Sequence, residues 1–309
     1  MPHLIHLDPS DWPFDEDFFA YVDRIKSREQ SWRGNQGTAS VALLFFEPST
    51  RTYLSFQRAV SLGGAWGFGF HHPAGTSLEK GESIEDTVLN VLAMLPDAVV
   101  IRAGDEAPFA HWKEAMSVPI ICAGWGKQSH PTQALLDSYT LFQVLGTLKG
   151  RRILYVGDGL HSRVLASHRQ WFRRLGAELG YLMPKVWLPQ TLHSDELVFQ
   201  DKSEALAWAE VVIGLRFQKE RWVYQEKRLR ESREQLDHQS QKGERYSVGK
   251  NDLLAVRHQP WLMHPGPVGW GMEFDSSLRD YSKNLILKQV ENGVWVRKAV
   301  LNWCMQGDG

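Results

Sequence analysis

Only two cysteines, Cys122 and Cys304, occur in the 309 residues, too few and too far apart for a disulfide framework or a thiolate metal site. No run of about 20 uninterrupted apolar residues is present, which excludes a membrane-spanning helix. No basic start followed by an apolar stretch announces a secretory signal. Charge of one sign is lacking too: 35 Lys and Arg stand against 36 Asp and Glu, a formal net charge of -1. That balance excludes a broad electrostatic pull on nucleic acid or an anionic membrane, while leaving room for a local cationic pocket. A Gly-rich loop ending in Lys-Ser/Thr is missing, which disfavours a P-loop nucleotidase. There is no internal repeat and no low-complexity tract. The expectation is a soluble, cytoplasmic chain whose partner is a small molecule.

What is there is apolar sequence in short, spaced runs. The chain is 43% apolar, and single cores seldom grow beyond about 250–300 residues, so two domains are expected. The 13 Trp residues are read as packing. Strand-like runs are "VALLFF" at 41–46, "AWGFGF" at 65–70, "AVVIRA" at 98–103 and "VPIICA" at 118–123, with helices expected near 15–32, 50–62, 82–95 and 131–145. A second series restarts with "RRILYVGDG" at 151–159, continues through helical spacing at 162–176, and reaches apolar runs at 179–182 and 211–215 before "WLMHPGP" at 261–267. Alternating strands and helices imply mostly parallel sheets covered on both faces. The fold class is therefore α/β, with two α/β domains and a cleft between them. The expected boundaries are 1–145, 146–290 and a C-terminal helix, 291–309, returning to the first domain. The charged segment from Lys219 to Glu234 mixes acids with bases and reads as solvated surface.

Several short stretches carry candidate chemistry. In "FFEPSTRTYLSF" a strand ends and Ser49, Thr50, Arg51 and Thr52 enter the first turn of a helix, where backbone N–H groups lack intrahelical acceptors. Two readings stand side by side: ordinary N-capping by Ser49 or Thr50, or an anion site in which hydroxyls and the Arg51 guanidinium add directed hydrogen bonds. Arg102 follows an apolar strand, where ligands meet open α/β sheets. "SHPTQALLD" places His130 and Gln133 three residues apart at a helix start. "VGDGLHSRVLAS" lacks the full dinucleotide-binding glycine pattern but puts Arg163 at the next helix. "LRFQKER" places Arg216 and Gln218 beyond a strand, two residues apart, so that extended geometry turns both to one side. "MHPGPVGWG" is a Pro- and Gly-rich turn able to present backbone carbonyls.

Together, "FFEPSTRTYLSF", "TSLEKGESIEDT", "VVIRAG", "HPTQALLDSYTL", "VGDGLHSRV", "LRFQKER", "MHPGPVGWGMEF" and "QVENGVWVRKAVL" resemble the aspartate carbamoyltransferase family, in that family's order and over essentially residues 5–303. The resemblance implies an N-terminal carbamoyl-phosphate domain, a C-terminal aspartate domain and a catalytic homotrimer with shared sites. It implies carbamoyl transfer to L-aspartate in pyrimidine synthesis, with no cofactor and no metal, and regulatory or dihydroorotase subunits as further partners. Residue by residue, it implies phosphate binding by Ser49, Thr50, Arg51 and Thr52, and polarisation of the carbonyl by Thr52, Arg102 and His130. Gln133 and the backbone oxygens around Pro267 and Val268 would hold the carbamoyl amide. Arg163 and Arg216, supported by Gln218, would grip the aspartate carboxylates, and Ser77 and Lys80 would enter from the neighbouring subunit.

The chain departs from the family pattern at Tyr53 and Gln57, where Arg and Glu are usual, with loss of a charge pair. It has only Lys80 before Gly81, Cys122 and Trp125 ahead of His130, and Gly269 and Trp270 where Asn and Arg are usual. The Trp125 indole is expected to narrow the entrance before His130. Two other readings stand beside aspartate transfer. One is transfer to ornithine, which calls for acidic groups around an ammonium rather than the "LRFQ" arginine. The other is a catalytically idle scaffold.

Overall fold

The computed structural model describes residues 2–217 and 246–306, so Gln218 and the Lys219–Glu234 segment lie outside the described residues. Two compact units are present: Met1–Val144 with Ala166–Trp171 and Val290–Gly309, and Leu145–Leu165 with Phe172–Gln289.

The first unit runs α1 (Asp17–Ser27), a short antiparallel ribbon of β1 (Arg33–Gly34) and β2 (Gly37–Thr38), β3 (Ser40–Phe45), α2 (Thr50–Leu62), β4 (Trp66–Phe70), α3 (Ile84–Leu92), β5 (Ala98–Ala103), α4 (Phe109–Ala115), β6 (Ile120–Trp125) and α5 (Pro131–Leu145). Its parallel sheet has the order β4-β3-β5-β6. Val41–Phe45 of β3 and Ala98–Ile101 of β5 are buried on both faces, as continuous apolar runs in a covered parallel sheet must be. β6 begins two residues later than the apolar run suggests. Pro119 has no N–H to donate, although its carbonyl accepts from Val99 N–H at 2.9 Å. In α2, Thr52, Ser55, Phe56, Ala59 and Val60 form the buried face, the spacing of a helix lying on a sheet. α5 is buried throughout Pro131–Leu141, so its polar members need partners inside the protein.

The second unit runs β7 (Arg152–Gly157), α6 (Arg163–Arg174), β8 (Glu178–Leu182), β9 (Leu197–Val198), α7 (Lys202–Trp208), β10 (Val211–Leu215), α8 (Lys250–Ala255), β11 (Trp261–Met263) and α9 (Ile286–Gln306). Its sheet is parallel, in the order β11-β10-β7-β8-β9. Its core gathers Leu154, Val156, Leu182, Val212, Leu262 and Phe274. β7 stops at Gly157, whose φ of +103° and close approach to β10 leave no room for a side chain. A Cβ there would stand 2.0 Å from the Leu215 carbonyl oxygen. Residues 166–171 of α6 and the part of α9 from Val290 onward belong to the first unit. Among the described residues no helix is long and apolar enough to cross a membrane.

Candidate active site

In the first unit the candidate residues follow the C-terminal ends of neighbouring parallel strands. α2 and its Ser-Thr-Arg-Thr turn follow β3, Arg102 lies near the end of β5 opposite Phe45, and His130 and Gln133 follow β6. Phe46 N–H donates to the Arg102 carbonyl at 2.8 Å, which ties the β3–α2 connection to Arg102. Open α/β sheets bind ligands at this edge.

The two readings of Ser49 now separate. Ser49 occupies the N-cap of α2, but its side chain makes no capping hydrogen bond. Ser83, at the equivalent place before α3, accepts from Asp86 N–H at 3.0 Å. The Ser49 hydroxyl is thus not consumed by the helix it precedes. Arg51 is exposed, while Thr52 is 7% exposed. Arg102 donates through Nη1 to the Ala123 carbonyl at 3.1 Å and stands 3.9 Å from Glu47. The strand β6 and a carboxylate therefore steady the guanidinium.

His130 is buried, and its backbone N–H donates to Ser167 Oγ at 2.8 Å. Ser129 Oγ donates to the Ile5 carbonyl at 2.8 Å, bracing the same turn. The His130 carbonyl accepts from Gln133 N–H at 3.1 Å, so His130 closes the start of α5. Gln133 Nε2 donates to Asp137 Oδ1 at 3.0 Å, and Asp137 Oδ2 meets His168 Nε2 at 2.9 Å. Ser77 and Lys80 form an exposed 3₁₀ turn beyond β4, an edge strand of the sheet.

The departures have structural outcomes. Gln57 Nε2 donates to Tyr53 Oη at 3.3 Å, so a neutral contact one turn apart stands where the family's charge pair is lost, as expected. Tyr53 packs edge-on to Phe45, and burial raises its hydroxyl pKa. The Trp125 indole packs 5.0 Å from Phe109 and 5.6 Å from His6, partly buried against a core cluster that includes Cys122.

The second unit repeats the arrangement. α6 and Arg163 follow β7, Arg216 follows β10, and Pro267 and Val268 follow β11, three adjacent parallel strands. Asp158 N–H donates to the Leu215 carbonyl at 3.1 Å. The buried Asp158 carboxylate also holds His161 Nδ1 at 3.0 Å. His161 packs edge-on to Trp187, which packs edge-on to Phe217. This chain of rings ties the loop before Arg163 to the segment carrying Arg216. The 264–273 turn is held from within: Gly266 N–H donates to His264 Nδ1 at 2.7 Å, and His264 Nε2 meets Glu273 Oε1 at 2.9 Å. Gly269 N–H donates to the same carboxylate oxygen at 2.6 Å. Trp270 carries Arg279 over its ring at 4.6 Å. Gly269 and Trp270 are therefore part of the turn's scaffold. Among the described residues no group of three or more His, Cys, Asp or Glu side chains is placed to hold a metal ion.

Reading by motif assigned no role to Glu47, Asp137, Asp158, His161, Ser167, His168 or Glu273. Of these, only Asp137 had a legible signal, its i, i+4 spacing from Gln133.

Comparison with known proteins accords with this geometry. Residues 15–143 match the family described as aspartate/ornithine carbamoyltransferase, carbamoyl-P binding domain, and residues 149–304 match the Asp/Orn binding domain of the same enzymes. The aspartate carbamoyltransferase catalytic subunit of Thermus aquaticus is 41% identical over 274 residues, 87% of this chain and 86% of that one. The catalytic subunit of M. jannaschii aspartate transcarbamoylase superposes with a TM-score of 0.80 at 25% identity, covering 100% of this chain and 99% of that one. The ornithine carbamoyltransferase of Pyrococcus furiosus superposes with a TM-score of 0.76 at 23% identity, covering 100% and 99%, and so shares the fold.

Proposed function

The chain belongs to the aspartate/ornithine carbamoyltransferase family, and from that premise we propose that it transfers the carbamoyl group of carbamoyl phosphate to the amine of L-aspartate. The fold alone accommodates either acceptor class, as its likeness to both aspartate and ornithine enzymes illustrates. The observation that carries the choice is the placement of two arginines, Arg163 and Arg216, beyond the ends of adjacent strands β7 and β10. Two guanidinium forks suit the two carboxylates of aspartate and oppose the ammonium of ornithine. The relative from Thermus aquaticus is likewise named for aspartate.

In this reading Ser49, Thr50, Arg51 and the α2 N-terminus bind the phosphate. Thr52, Arg102 and His130 donate to the carbonyl oxygen, where negative charge grows as the neutral amine attacks. Gln133 with the Pro267 and Val268 carbonyls holds the carbamoyl amide, and Gln218 supports the arginine pair. A C–N bond forms and the C–O bond to phosphate breaks. The departing phosphate accepts the amine proton, and no residue becomes a covalent nucleophile.

We further place Ser77 and Lys80 in the site of a neighbouring copy within a homotrimer. Their exposed turn follows β4, an edge strand whose Trp66 is 72% exposed, a surface that self-association would cover. A cytoplasmic setting in pyrimidine synthesis fits two buried, unbridged thiols. Regulatory or dihydroorotase subunits complete the proposed partners, in keeping with the relative's name as a catalytic subunit.

One assay tests the reaction: purified chain with carbamoyl phosphate and either aspartate or ornithine, reading phosphate and carbamoylated product. Carbamoyl-aspartate is expected. Product from ornithine alone would reassign the acceptor, and no product from either would leave the idle scaffold.

A further inference from the structure

One turn beyond Gln133, the interior of the first unit holds a carboxylate and an imidazole with no direct role in the transfer. Asp137 and His168 are both fully buried, and Gln133 is 8% exposed. Asp137 receives Gln133 Nε2 on Oδ1 at 3.0 Å and His168 Nε2 on Oδ2 at 2.9 Å. A carboxylate accepts hydrogen bonds and has none to give, so each neighbour must present an N–H. His168 therefore carries its proton on Nε2, and the Gln133 amide must turn its nitrogen towards Asp137. Its oxygen, Oε1, is left without a hydrogen-bond partner among the described residues. The negative charge of Asp137 is also felt by Arg297, whose guanidinium is lowered by burial to about 10 while Asp137 opposes the drop.

A side-chain amide can face a ligand in either of two senses, as donor or as acceptor, and the shape of the pocket does not distinguish them. We infer that Asp137, backed by His168, is a positioning residue that fixes the sense of the Gln133 amide, so that the site selects an acyl phosphate bearing NH2 over one bearing a methyl group. This rests on the proposed carbamoyl transfer. A carbamoyl nitrogen offers two donors, and Oε1 accepts one of them. With the amide reversed, two NH2 groups would face each other, which loses the bond and adds repulsion. An acetyl group makes no such bond and is indifferent to the sense.

Asp137→Asn separates this role from a purely structural one. While His168 keeps its proton on Nε2, as the nitrogen shifts of its ring report by NMR, the oxygen of the introduced amide turns to His168 and its NH2 to Gln133, and Gln133 must reverse. The measurement is kcat/KM with aspartate for carbamoyl phosphate and for acetyl phosphate, the latter giving N-acetylaspartate and phosphate, together with inhibition by inorganic phosphate. The expected result is a fall of about tenfold or more with carbamoyl phosphate, and acetyl phosphate and inorganic phosphate unchanged within about twofold. Parallel losses with both acyl phosphates would overturn the role of Asp137 while leaving the transfer reaction standing. A wild-type chain that carbamoylates nothing would overturn the reaction, and the inference with it. A neutron structure of the wild-type protein with a phosphonate analogue of carbamoyl phosphate decides the matter even if D137N fails to assemble. Deuterons of the Gln133 amide facing Asp137 support the inference, and deuterons facing the ligand overturn it.

Discussion

His130 joins two demands in one residue: its backbone closes the start of α5, and its ring is proposed to donate to the carbonyl oxygen. His130→Ala removes only the second, because Ser167 Oγ bonds the backbone N–H. Turnover should fall by about 10²–10³-fold, the range for losing one donor to a developing oxyanion. Carbamoyl-phosphate affinity by calorimetry should change only a few-fold, because the bond strengthens in the transition state. Equal losses in both would place His130 in ground-state binding. The cysteines behave in the opposite way. Cys122 and Cys304 are unbridged by any disulfide and buried, and burial raises the Cys304 thiol well above its usual pKa. A thiol reagent should label neither in the native protein at about pH 8 and both after unfolding, since burial shields both thiols and suppresses the Cys304 thiolate. Fast native labelling of Cys304 would contradict that burial.

Two serines at helix starts predict different outcomes at the scale of the element. Ser83 caps α3 through Asp86 N–H, whereas Ser49 makes no capping bond to α2. Ser83→Ala should cost about 1 kcal/mol of stability, the usual value of an N-cap. Ser49→Ala should leave Tm nearly unchanged and weaken phosphate binding instead, measured by calorimetry. A matching loss of Tm in both variants would return Ser49 to an ordinary cap. The strands and helices themselves were largely legible: 98–103 was expected and found as β5, and 50–62 as α2. Apolar runs and helical spacing report burial directly. The start of β6 was less legible, because an apolar Val-Pro pair resembles a strand until the missing proline N–H is counted.

For the whole molecule, the proposed trimer makes a prediction that no single chain can satisfy. Lys80 sits on an exposed turn beyond the edge strand β4, and Arg51 at the head of α2. Lys80→Ala and Arg51→Ala assemblies should each be nearly inactive. Mixed and reassembled one to one, they should regain roughly one quarter of the sites, if chains combine at random and sites act independently. A site that draws intact Arg51 from one chain and intact Lys80 from its neighbour is complete. Mixed trimers that form, by mass, without recovered activity would reject a shared site.

The sequence alone determined the α/β class, the strand ends on which candidate ligands sit, and the motifs that resemble one family. These follow from local pattern, which records which residues are buried and where a chain turns. Only the tertiary structure decided how those residues are held. The partnership of Asp137 with His168 joins α5 to α6 across 31 positions, and Ser167 reaches the His130 backbone across 37. His161, Trp187 and Phe217 pack in a row although the chain separates them widely. The Trp125 indole packs on Phe109 and His6 for the same reason. A side chain's direction depends on the neighbours that folding brings to it, and those neighbours are distant in sequence.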